Sequence, residues 1–123
     1  MSENGRNEGV VISGGNVTIG AMAVGPYAQA VSNAADALQR RGQDELAHKI
    51  QALLEALQQH EPELGDRDAA FSLTGRAAEE LERDEPDKDT VLGFLGRVTA
   101  AAGSATAVAG AVTALQHAVM LLL

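Results

Sequence analysis

Cysteine and tryptophan are both absent from the 123 residues, and the aromatic complement is one tyrosine (Tyr27) and two phenylalanines (Phe71 and Phe94). Without cysteine there is no disulfide framework and no thiol chemistry, which fits a reducing compartment and sets the expectation of a cytoplasmic protein. Without large aromatics the core has to come from Ala, Val, Leu and Ile. Such side chains let elements approach closely and suit helices, where alanine costs least. Basic residues are scarce as well: 9 Lys and Arg stand against 17 Asp and Glu, for a formal net charge of −8, and only Arg40 and Arg41 are adjacent. Nucleic-acid binding needs clustered Lys and Arg to meet phosphates, so that function class is excluded. A secretory pattern is missing too. Residues 1–9 are polar and contain glycine, with no basic stretch leading into an apolar one; a short disordered lead is expected there. The length allows one domain with a core that needs no staples.

Catalytic constellations are also lacking. Glu45 and His48 have the Glu-x-x-His spacing of a carboxylate-bridged di-iron pair, but such a site needs a second copy of the motif and further inward glutamates. His48 instead lies beside Lys49 on the polar side of its helix. His60 and His117 have no partner at zinc-ligand spacing. His60 is expected to meet the last carbonyls of a helix, and His117 to be a buried, hydrogen-bonded residue in an apolar stretch, with an interfacial position as the alternative. Ser13-Gly14-Gly15-Asn16 is rich in glycine but lacks the lysine and Ser/Thr of a phosphate loop, so it reads as a turn. Glu79, Glu80 and Glu82 read as a solvated acidic run. The expectation is a protein that is not an enzyme and that needs no cofactor and no metal.

What the chain does have begins at residue 10. Val10–Ile12 and Val17–Ile19 are β-branched runs flanking the Ser13–Asn16 turn, which is a hairpin signal. From Val17 the residues alternate, with Val17, Ile19, Ala21 and Ala23 on one face and Thr18, Gly20, Met22 and Val24 on the other. Gly25-Pro26 stops the strand. A lone hairpin is marginal in water, so it needs a helix face, a partner strand or another copy of itself. Residues 10–25 are therefore read as a β assembly segment, with Val10, Ile12, Val17, Ile19 and Val24 as the assembly residues.

From Tyr27 the period becomes helical. A first helix ends at Arg40-Arg41-Gly42, where basic residues suit the dipole and glycine stops the chain. A second runs from about Asp44 to His60 on the stripe Leu46, Ile50, Leu53, Leu54 and Leu57. Glu61–Gly65 is a loop. A third helix starts near Asp66 and shares Ala70, Thr74, Ala77, Ala78 and Leu81 on one face, with Phe71 beside it. Its acidic last turn should fray into the charged loop around Pro86. A last helix, capped by Asp87 or Asp89, carries apolar residues at spacings of three and four: Val91, Phe94, Val98, Ala101, Ala105, Val108, Val112, Leu115, Val119 and Leu122. Unbroken, it would run about 50 Å; Gly103-Ser104 is the place where it would break. No charge follows Arg97, and a helix without a charged face is expected to be buried all round, whether by the other helices, by copies of itself or by a membrane. The fold class is thus mainly α: a four- to five-helix bundle over residues 27–123, with a long apolar C-terminal helix, preceded by a β-hairpin or β segment. Val98, Val108, Val112, Leu115, Val119 and Leu122 are taken as the seam of that helix.

The stretch from Asn16 to Gly25, with Val17, Thr18, Ile19 and Gly20 at its centre, resembles the short amyloid-signalling motifs attached to bacterial and fungal cell-death proteins, including those similar to the RIP homotypic interaction motif. The resemblance implies templated oligomerisation next to a helical effector domain. Uncharged, β-prone, glycine-spaced sequence is also what stacks in cross-β fashion by composition alone. The functional expectation is a self-assembling scaffold or adaptor module that forms homo-oligomers in bacterial defence or cell-death signalling, with a partner protein as a further occupant. The alternative is a membrane-acting effector whose residues 98–123 insert, a stretch long enough to span but rich in Ala, Gly and Thr.

Overall fold

The computed structural model describes residues 25–123. The lead 1–9 and the β segment with Val10, Ile12, Val17, Ile19 and Val24 lie outside the described residues, except for Gly25, which opens the first helix.

The described part is helical: α1 (Gly25–Arg40), α2 (Asp44–Gln59), a 3-10 turn (Glu61–Glu63), α3 (Arg67–Glu82), α4 (Lys88–Ala102) and α5 (Thr106–Leu122). Local chemistry sets most of these boundaries. Gly42 takes φ +78° just past α1, the left-handed conformation that glycine reaches without a Cβ penalty. The Gln43 amide then donates to the Leu38 carbonyl at 2.8 Å and reverses the chain. Asp66 caps α3 by accepting from the Ala69 amide at 3.1 Å. Asp87 caps α4, which therefore begins at Lys88. Its carboxylate accepts from the Thr90 hydroxyl at 2.6 Å.

The helices form a closed ring. α1 packs on α2 and α3, α3 on α4, α4 on α5, and α5 returns to α2. Each presents one apolar stripe to a shared core, as layered helical domains require. Leu38, Leu46, Ile50, Leu53, Leu57, Phe71, Leu81, Leu95 and Leu115 are all fully buried there. Ala34, Ala35, Ala77 and Ala78 are buried between them and keep the helices close. Thr74 is the buried polar residue among those described; its hydroxyl donates to the Ala70 carbonyl at 2.8 Å, so burial leaves nothing unsatisfied.

The long C-terminal helix of the sequence reading is corrected by the fold. It is two helices, α4 and α5, reversing at Gly103. Gly103 sits at φ 63°, ψ −119°, far from helical. The last carbonyls of α4 do not wait for a next turn of helix: Ala102 accepts from the Gly65 amide at 3.3 Å and Ala101 from the Asp66 amide at 2.8 Å. The α2–α3 loop thus caps α4 from across the molecule. The seam residues Val98, Val108, Val112, Leu115 and Val119 are fully buried, whereas Leu122 is 44% exposed at the end of α5.

The acidic end of α3 is also held differently from expectation. Helix α3 runs to Glu82, and the Arg41 guanidinium, from the α1–α2 turn, donates to the Leu81 carbonyl at 3.1 Å and the Glu82 carbonyl at 2.5 Å. A cation placed on the negative end of the dipole offsets the acidic side chains there. Replacing Arg41 by Gln is expected to lower stability by about 1–2 kcal/mol, the lower part of the range for hydrogen bonds to a charged group because the side chain is partly exposed. Urea unfolding checks this; an unchanged midpoint would mean the cap carries no weight.

Candidate functional site

Among the described residues no group of His, Asp and Glu is arranged to hold a metal ion. Glu45 and His48 are both exposed on α2. The His60 ring lies 3.0 Å from a Glu63 carboxylate oxygen in the 3-10 turn, while its backbone amide closes α2 on the Ala56 carbonyl. Around the same corner Arg67 binds Glu61, reaches Asp68 at 3.0 Å and lies over the Phe71 ring at 5.5 Å. The hydrogen bond to Glu61 holds the Arg67 guanidinium above its ordinary pKa. This network fastens the α2–α3 corner over the largest core side chain.

The outer face of α5 stands apart from these features. Every charged side chain in the sequence lies at or before Arg97, so α5 has none. Among the described residues, the other helices do not wrap this segment on every side: its inner face meets α2 and α4, and its outer face is open. Thr106, Ala107, Gly110, Thr113 and His117 are exposed along it. Met120 is 62% exposed and Leu121 73%. His117 is therefore a surface residue and not the buried one expected from its apolar neighbours. Thr113, Gln116, His117, Met120 and Leu121 line a shallow hollow of about 280 Å³. The Thr113 hydroxyl is already bonded to the Ala109 carbonyl at 3.0 Å. The Lys88 ammonium donates to the Met120 carbonyl at 3.3 Å and pins the end of α5 to the start of α4.

Thr106, Thr113 and Met120 lie on the open face, opposite the seam. Ala102 is buried and Ala109 half-buried. Leu121 was not singled out; its position two residues past the buried Val119 is the signal that placed it outside.

A second hollow of about 450 Å³ is lined by Pro26, Tyr27, Ala30, Ser72, Gly75, Arg76 and Glu79, where residues 1–24 join α1. It is polar and ringed by exposed Arg76 and Glu79. No helix among the described residues is long and apolar enough to cross a membrane, because the break at Gly103 leaves α5 with 17 residues. Comparison with family models, curated proteins and solved structures gave no match to this chain.

Proposed function

We propose that this protein is a non-enzymatic self-assembling scaffold or adaptor that works by homo-oligomerisation, in the setting of bacterial defence or cell-death signalling that the Asn16–Gly25 resemblance implies. The observation that carries the reading is the uncharged, β-prone, glycine-spaced stretch Val17–Gly25 in front of a helical ring that closes on its own core. β-prone sequence of low charge pairs with identical copies. The helical part then serves as the body whose copies are brought together. Val10, Ile12, Val17, Ile19 and Val24 are the residues assigned to assembly.

The test is the native mass of the full chain with Val17→Lys and Ile19→Lys together. Lysine on both positions of one strand face places like charges across every pairing of identical copies. The expected result is a drop to a smaller species with an unchanged helical signal. Native mass equal to the unsubstituted chain would remove these residues from assembly.

A further inference from the structure

We propose that the outer face of α5 is a contact surface for a second copy of this chain, the two α5 helices packing against each other about a two-fold axis. The inference rests on the self-assembly reading above and supplies it with a second contact, on the helical body. Electrostatics selects the occupant. The chain carries a formal charge of −8, with all of its charged side chains at or before Arg97. Two copies approaching through most other surfaces bring acidic groups together, whereas the α5 faces carry no charged side chain of their own and have only the Lys88 ammonium, on the Met120 carbonyl, at one end. A basic partner would be drawn to the acidic surfaces, away from this one. Anionic lipid would repel the molecule for want of the basic residues that hold peripheral proteins on membranes.

The face also has room for a close approach. A Cβ placed on Gly110 would meet nothing within 4 Å, so a helix from a second copy can approach closely there, while Met120 and Leu121 project at one end. Two-fold packing sets the projecting end of each copy against the small-residue part of the other, as an isologous contact requires. Met side chains adapt to such a partner.

The area sets the strength. A helix of 17 residues presents a strip about 25 Å long and about 10 Å wide, on the order of 250–300 Å² per copy against the ~800 Å² of a stable interface. The contact by itself therefore makes a weak, concentration-dependent dimer, and durable assembly takes the N-terminal segment as well.

Sedimentation equilibrium over a concentration series tests this with four full chains: unsubstituted, Val17→Lys/Ile19→Lys, and the latter with either Gly110→Arg or Leu121→Glu added. Both added substitutions are at exposed positions, and Gly110→Arg improves helix propensity, so the fold is retained and circular dichroism confirms it. The expected result is a monomer–dimer equilibrium in the Val17→Lys/Ile19→Lys chain, weakened on the order of tenfold or more by either added charge. Dimerisation unaffected by both charges would overturn the α5 surface and leave the self-assembly reading standing. A Val17→Lys/Ile19→Lys chain that is monomeric throughout, beside an assembled unsubstituted chain, would do the same. An unsubstituted chain that is monomeric throughout would remove both readings. Flotation of the monomer with phosphatidylcholine vesicles, lost on Leu121→Glu, would assign the face to lipid and overturn the proposal.

Discussion

Replacing Phe71 by alanine is expected to cost about 3–5 kcal/mol of folding free energy, the largest single effect in this molecule. Phe71 is 1% exposed and heads the fully buried side chains by volume. Its neighbours in the core are mostly Ala, Val and Leu, with no other fully buried aromatic among the described residues, so little is at hand to relax into the space. Removing the ring also takes away the face over which the Arg67 guanidinium lies at 5.5 Å and loosens the α2–α3 corner. A domain of this size holds only about 5–15 kcal/mol in total, so the variant should show a large fall in its urea midpoint or fail to fold at the temperatures the parent tolerates. A loss below about 1 kcal/mol would mean that the core closes around the gap and that Phe71 is not its keystone.

Gly103→Val is the second. Two costs coincide at this position. Its φ of 63° and ψ of −119° lie in a region that side chains, and β-branched ones above all, rarely enter, worth about 1–3 kcal/mol of backbone strain. A Cβ there would also stand 3.1 Å from both the Gly65 Cα and the Gly65 amide nitrogen. Those are backbone atoms of the loop whose amides cap α4, so they cannot yield without loosening the bonds to Ala101 and Ala102. A total of about 2–4 kcal/mol is expected. Gly42→Ala is the internal comparison, since Gly42 has φ +78° but open space around its Cβ position. It should lose only about 1–2 kcal/mol, the conformational part of the cost. Equal losses at the two glycines would contradict the close packing of the Gly65 and Gly103 loops.

These two positions also mark how far the sequence could be read. The Phe71 face of α3, the Leu46–Leu57 stripe of α2 and the caps at Asp66 and Asp87 rest on local rules, namely helical period and side-chain capping, and each is present. The α4–α5 reversal is of a different kind. The spacing of three and four runs without interruption through Val98, Ala101, Ala105 and Val108 because both helices of a hairpin turn their stripes to one core. Periodicity records which residues face inward and is blind to a change of chain direction. Only Gly103 signalled the turn, and the partner that completes it, Gly65, is remote in sequence. Arg41 has the same character. Its place at the end of α1 suggests a cap for that helix, while its guanidinium reaches the carbonyls of Leu81 and Glu82.

The candidate surface was legible in its composition and not in its exposure. The missing charge after Arg97 implied burial on every side, but in the ring α5 packs mainly on two neighbours, α2 and α4. Among the described residues nothing packs over the outer face of α5, which carries the exposed Met120 and Leu121. His117 follows the same logic: apolar neighbours in sequence pointed inward, yet the helical period carries it to the side opposite Val108, Val112 and Leu115.

The most direct test of the self-assembly reading is the native mass by light scattering of the full chain beside a chain lacking residues 1–24. A discrete oligomer or larger assembly for the full chain, with a smaller species for the truncated one that keeps its helical signal, is the result expected. Two monomers of unchanged helical content, at every concentration, would contradict it and leave the ring of five helices as a self-contained body with no assembly element.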